Sequence, residues 1–261
     1  MSFHDELGTR MKENYESVSK TRLMRRTPVA IRLDGKAFHT YTRGFQKPFD
    51  DILAQSMQDT MKYLCENIQG CVFGYTQSDE ITLILIDYQT FETQAWFDYE
   101  VQKMCSIAAS MATMKFNQIF NELVYLRCKA DDKGNILDKN YIPIHQAHIK
   151  ATIKGAMFDA RVFNIPKEEV ANLIYWRQLD AIRNSVQMVG QANFPHKQLQ
   201  GKSCEVIKEM LVAEKDINWS DFPTYLQRGS ACRKGENGWQ IDLNMPVIKE
   251  DRSYIEDLIY I

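Results

Sequence analysis

Val29-Ala30-Ile31-Arg32-Leu33 is a dense apolar run that stops at Asp34-Gly35. Its length and β-branched content predict a strand ending in a turn. After a loop carrying Gly44 and Pro48, Leu53, Met57, Met61 and Leu64 recur at helical spacing. They predict a helix capped by Asp50 and running to about Cys65. Cys71 to Tyr75 and Ile81 to Ile86 are two further β-rich runs, with Gln77-Ser78-Asp79-Glu80 between them, which reads as a hairpin. A long helix follows, with Val101, Met104, Cys105, Ala108, Met111, Ala112 and Phe116 as its buried stripe. Phe158 to Phe163 reads as a strand, and Pro166 opens another helix whose apolar face includes Ile182, Val186 and Val189. The order strand, helix, hairpin, helix, strand predicts an α+β fold of ferredoxin-like type, an antiparallel sheet with helices on one side.

The expected organisation is a catalytic core over 1–165 and a helical extension over 166–261, packed as one unit. Residues 5–24 read as a polar helix or arm. Residues 121–155 carry the turn signal Asp131-Asp132-Lys133-Gly134-Asn135 and read as a hairpin insertion with no assigned role.

Composition changes this picture little. The chain has 261 residues, 44% hydrophobic and 25% charged, as soluble globular proteins do. No signal pattern or membrane-length apolar run is present, so the expected compartment is the cytoplasm and no membrane partner is expected. The cysteines at 65, 71, 105, 128, 204 and 232 form no Cys-x-x-Cys pair, which points to reduced thiols. His145-x-x-His148 lacks further ligands nearby and reads as surface. A net charge of −2 gives no global basic footprint for nucleic acid, although Lys20 to Arg26 is locally basic.

The candidate chemistry lies in the two acidic stretches. Asp34 closes one strand and Asp79 sits in the hairpin, with Glu80 beside it. Magnesium is held by one or two carboxylates together with substrate phosphates, so two strand-end acids suit metal-assisted phosphoryl or nucleotidyl transfer. Asp-Gly and Ser-Asp-Glu are also ordinary turn sequences. Residue types alone leave the two readings balanced. On the last long helix Arg177, Asp180 and Asn184 share a stripe that is either a solvated face or the lining of a cleft.

Taken together, Ile31 to His39, Lys47-Pro48-Phe49-Asp50, Gly74 to Glu80, Phe158-Asp159-Ala160-Arg161-Val162 and Trp176-Arg177-Gln178-Leu179-Asp180 resemble the tRNA-His guanylyltransferase family. They resemble most its bacterial-type guanylyltransferase-like members. The resemblance covers roughly residues 10–120 and 155–230. It implies a polymerase-palm domain that adds nucleotides to the 5′ end of tRNA in the 3′→5′ direction, after activating a 5′-monophosphate with ATP or GTP. It further implies two Mg²⁺ ions held by Asp34, Asp79 and the Gly35 carbonyl, with Glu80 in support. The nucleotide-binding positions it implies are Lys36, Ala37, Phe38, His39, Lys47, Asp50, Ser78, Lys103 and Arg161. A homotetramer is implied as well, and with tRNA as partner Arg177, Asp180 and Asn184 are the expected tRNA-binding positions.

One departure narrows the expectation. Eukaryotic-type members carry His-Ile-Asn-Asn after the Arg-Gln-x-Asp stretch, whereas this chain has Ile182 where the histidine would be and retains Asn184. Template-dependent repair of truncated 5′ ends is therefore expected ahead of dedicated addition of one guanosine to tRNA-His. A palm-fold nucleotidyl cyclase and a non-catalytic tRNA-binding module are the remaining alternatives.

Overall fold

The structure is a computed structural model describing residues 6–128 and 142–261. Helix α1 (Glu6–Met11) continues through irregular helical turns to Ser19 and buries no side chain, as a polar arm should. The remaining elements before the last long helix are β1 (Val29–Gly35), α2 (Phe38–Tyr41), α3 (Asp51–Asn67), β2 (Cys71–Gln77), β3 (Glu80–Leu85), α4 (Val101–Cys128), α5 (Ile142–Lys154) and β4 (Phe158–Asn164). Then come α6 (Lys167–Asn193), α7 (His196–Leu199), α8 (Cys204–Lys215), α9 (Thr224–Arg228), β5 (Ser230–Gly235), β6 (Gly238–Asp242) and α10 (Ser253–Glu256).

The six strands form one antiparallel sheet in the order β4-β1-β3-β2-β5-β6. Its first four strands have the ferredoxin-like order, as the element sequence predicts. The C-terminal part is helical as expected, but it also returns β5 and β6 to the sheet beside β2.

Both faces of the sheet are covered, which corrects the expectation of helices on one side. Ile31, Leu33, Ile81 and Leu83 pack under the stripes of α3 and α4. The α4 stripe of Met104, Ala108, Ala112 and Phe116 continues through Phe120 and Val124. Ala30, Phe73, Tyr75 and Ile84, from the other face, pack against Val170, Ala171 and Ile174 of α6 and against Met245, Ile248 and Ile255. The second half of α6 builds a further cluster with α8, joining Val186 and Val189 to Ile207, Leu211 and Trp219.

The expected hairpin insertion is corrected where it is described. Residues 121–128 prolong α4 and 142–154 form α5, both helical. The turn sequence 131–135 lies outside the described residues. His148 of α5 is 1% exposed, not at the surface, and its Nε2 lies 2.8 Å from Asp50 Oδ2. Among the described residues no helix is long and apolar enough to cross a membrane. The described cysteines are free thiols, with Cys65 and Cys232 buried and Cys71, Cys105 and Cys204 partly so.

Candidate active site

Directly opposed residues of an antiparallel sheet point to the same face. Two rows of this sheet follow from register alone. Asp159, Asp34, Glu80 and Gln77 form one row across β4, β1, β3 and β2. Two residues along each strand, Arg161, Arg32, Thr82 and Tyr75 form the next. Ala30, on the same face as Arg32 and Asp34, packs towards α6, so the charged rows lie where α6 crosses the sheet.

The two acidic stretches meet as the sequence suggests. Asp34 faces Glu80 across the β1–β3 ladder, and the Gly35 N–H donates to the Asp79 carbonyl at 3.0 Å. That bond fixes the hairpin turn against the end of β1. Gly35 has to be glycine here, because a Cβ would stand 2.3 Å from the buried Phe38 ring. Two non-glycine residues at this point hold left-handed backbone, Ala37 at φ 55° and Ser78 at φ 51°. Such conformations are uncommon outside glycine and concentrate at functional sites. The Ser78 hydroxyl donates to Asp79 Oδ1 at 3.0 Å.

Crowded acids resist ionisation. The Asp79 carboxyl is pushed up to about 6 by burial, with the charges of Asp34 and Glu80 adding to the effect and the Ser78 hydrogen bond opposing it. Burial also raises the Asp34 carboxyl, aided by Glu80 and Asp159 and countered by Arg161 and Arg32. Among the described residues no group of three or more His, Cys, Asp or Glu makes a complete metal cage. A pair of hard oxygen donors, mutually repelling and left to be completed by substrate phosphates, is the donor set that suits Mg²⁺. The residues present fit such an ion.

Glu80 is bound by arginines on both carboxylate oxygens. Its Oε1 accepts from Arg32 Nη2 at 2.8 Å, and its Oε2 is bound by Arg177 Nη2. Arg177 also pairs with Asp180 at 2.9 Å, and Asp180 with Arg183. Glu80 is thus the hub of an ion-pair chain that joins the hairpin to α6, and its oxygens are engaged by arginines. Arg177 is 2% exposed, so it is a buried partner of Glu80 and not an open contact for tRNA. Breaking the i, i+3 pair at Asp180 would loosen this chain, whereas Asn184, one turn on, faces a cavity.

That cavity, of about 100 Å³, lies on the other side of the hairpin, with Phe49, Leu53, Gln77, Ser78, Asn184 and Tyr225 in its wall. Asp50 also borders it, but its carboxylate is committed. It caps α3 through the Leu53 N–H, accepts from the Gln46 N–H, and meets His148. Those bonds hold the Asp50 carboxyl below the usual range against the opposing effect of burial, which is the largest single influence on it. Phe38 is 5% exposed among Tyr41, Phe116 and Phe158, so its ring is core and only its backbone is available to a ligand. Lys36, Ala37, His39 and Lys47 are exposed around the loop that follows β1.

Arg161 is 55% exposed in its side chain, facing Asp159 at 3.5 Å and acting electrostatically on Asp34. Lys103 does not join this group. It lies in the first turn of α4 with its ammonium 4.8 Å from the Phe97 ring centroid. That turn is tied to Thr21 and Leu23, near the start of β1 and away from Asp34. In the basic stretch, Arg22 and Arg25 pair with Asp98, and Arg25 with buried Asp87.

Sequence reading passed over Arg32, Asp159 and Trp176 as site residues. Arg32 stands two positions before Asp34 and Asp159 two before Arg161, so strand alternation was the signal that placed each pair on one face.

A ferredoxin-like sheet carrying paired carboxylates at a strand end and a hairpin suits metal-assisted nucleotidyl chemistry of the palm type. Comparison with known proteins makes this specific. The profile described as tRNAHis guanylyltransferase matches residues 8–166, and the chain belongs to that family. A solved bacterial guanylyltransferase-like protein in complex with ATP is 42% identical, with a TM-score of 0.84 over 98% of this chain and 100% of that one. One in complex with GTP is 36% identical, with a TM-score of 0.78 over the same shares. An uncharacterised protein of Acanthamoeba polyphaga mimivirus is 28% identical over 243 residues, 88% of this chain and 78% of that protein.

Proposed function

We propose that this protein extends the 5′ end of tRNA in the 3′→5′ direction, restoring truncated ends by pairing each incoming nucleotide with the opposite strand. The observation that carries the reading is the junction of the two acidic stretches, with Asp34 and the Asp79 turn held together by the Gly35–Asp79 backbone bond. The bacterial structures bound to ATP and GTP, which align over 98% of this chain, support nucleotides as substrates.

Asp34, Asp79 and the Gly35 carbonyl would hold Mg²⁺, whose chemistry is to neutralise charge on the attacking and leaving oxygens of an in-line displacement. The protein supplies the rest by position. Exposed Arg161 stands next to Asp34 and offers a planar fork for phosphate oxygens of the 5′ end or its activating nucleotide. Lys36, His39 and Lys47, exposed on the segment that follows β1, are further candidates for phosphate contact. The cavity behind the hairpin, apolar but edged by Gln77 and Asn184, suits the base of a free nucleotide. In activation the 5′-monophosphate attacks the α-phosphate of ATP or GTP and releases pyrophosphate. The 3′-hydroxyl of the incoming triphosphate then attacks the activated 5′ phosphate and releases the activating nucleotide as its monophosphate. Templating by base pairing leaves little need for side chains that read bases. Ile182 packs into the α6–α8 cluster, which leaves that position no polar role in choosing one added guanosine.

Product mapping on 5′-truncated tRNAs tests the reading. Stepwise extension to the paired length supports it, and a cyclic nucleotide without extension would favour a cyclase. Within the site, Arg161→Ala is expected to slow use of a 5′-monophosphorylated tRNA at least about tenfold more than use of a 5′-triphosphorylated one, the loss of one charge-assisted phosphate contact. Equal losses on both substrates would remove Arg161 from activation.

A further inference from the structure

The proposed reaction leaves one exposed aromatic side chain beside the carboxylate row without a task. Trp176, on α6, is 52% exposed. Its indole centroid lies 4.6 Å from the Arg177 guanidinium and 5.5 Å from that of Arg32. Both arginines bind Glu80, so the ring is tied to the hub that fixes the hairpin. The Nε of each arginine is buried without a hydrogen-bond acceptor, consistent with guanidinium groups resting on an indole. Arg32 is two strand positions, about 7 Å, from Asp34 on the same face. The indole is therefore one side chain away from the proposed reaction centre.

Its setting differs from that of the chain's other tryptophans. Trp96 and Trp219 are buried in core clusters, and Trp239 packs on the first of them. It also differs from the cavity behind the hairpin, which is walled on several sides as a loose nucleotide requires. On the Trp176 side, β4 is the edge strand of the sheet and exposed Arg161 stands on it. A half-exposed indole with an exposed guanidinium on the neighbouring strand suits a polynucleotide end, whose base stacks while its phosphates meet the guanidinium.

We propose that Trp176 is the stacking platform for the 5′-terminal base of the acceptor RNA. This rests on the 3′→5′ extension reading and adds to it the residue that seats the end to be extended. Stacking tolerates any base, which a repair enzyme acting on ends of varied sequence needs.

The test uses the full chain with a 5′-truncated, 5′-monophosphorylated tRNA transcript and with ATP. Trp176→Ala is expected to raise KM for the transcript about tenfold, the range of one lost stacking contact, and to leave KM for ATP unchanged. Trp176→Phe, which keeps a π face, should recover most of the loss. The transcript should quench tryptophan emission of the unsubstituted protein, and this quench should vanish in Trp176→Phe. A transcript KM unmoved by Trp176→Ala, equal shifts for transcript and ATP, or a quench that survives in Trp176→Phe would each overturn the platform. If the unsubstituted protein neither binds nor extends the transcript, the functional reading itself falls. If it extends the transcript and both variants match it, only the platform falls.

Discussion

Asp34→Asn and Asp79→Asn are each expected to lower nucleotide addition by on the order of 10³-fold, the loss of several kcal/mol of charge stabilisation at the reacting phosphate. Neither side chain supports the core, so both variants should fold and bind tRNA as the unsubstituted protein does. Asp79→Asn should also change stability, in a direction opposite to its effect on activity. An unfolded aspartate titrates near 3.9, whereas Asp79 in the fold is raised to about 6. Between these values the folded state holds a proton that the unfolded chain has released. Without metal, stability therefore falls as pH rises through this window and stays at the lower level above about pH 6. Removing the charge should stabilise the metal-free protein by on the order of 1 kcal/mol at pH 8 and by little near pH 4.5. Thermal unfolding in chelator at both pH values reads this out. A metal-free Asp79→Asn variant less stable than its parent at pH 8 would mean that the carboxylate is paired and not repelled.

The second large effect is on folding. Arg177→Ala is expected to cost about 3 kcal/mol, because it removes a buried guanidinium and strips a half-buried carboxylate of one of its partners. The figure sits at the low end for such losses since Glu80 keeps Arg32. Replacing the pair together, as Arg177→Met with Glu80→Gln, should restore much of the stability while leaving activity impaired, because the hairpin loses its tie to α6. Chemical denaturation of the single and double variants measures both. A single-variant cost below about 1 kcal/mol would show that the ion-pair chain contributes little, as surface pairs do.

Much of this was legible in the sequence because local period and distant packing agree. The run ending at Asp34, the stripe of α3 and the hairpin at Ser78-Asp79 each carry one unambiguous period. The tail of α4 misled because the turn sequence at 131–135 reads as a hairpin corner and Val124 and Tyr125 before it are β-prone. The stripe Phe116, Phe120, Val124 nonetheless continues at helical spacing and decides the matter. β5 and β6 were missed because both are short and half polar, and β6 lies at the sheet edge, although Gly235-Glu236-Asn237-Gly238 is a turn signal between them.

At the site, the meeting of residues 34 and 79 could be read from two strand ends. The commitments of Asp50, Glu80 and Phe38 could not. Asp50 is taken by a histidine 98 positions later, Glu80 by an arginine 97 positions later, and Phe38 by aromatic residues of α4 and β4. Such partners exist only once the sheet has assembled. A motif position identified by resemblance therefore says that a residue matters, and the structure separates those facing the nucleotide from those that hold the site in shape.

The most direct test is cation binding. With Mn²⁺ as a paramagnetic substitute for Mg²⁺ and ATP present, the protein should take up bound ion with an affinity that weakens as pH falls below about 6, as Asp79 gains its proton. Asp34→Asn and Asp79→Asn should each abolish that uptake. Undiminished binding in the variant carrying both substitutions would contradict the shared cation site on which the proposed reaction depends.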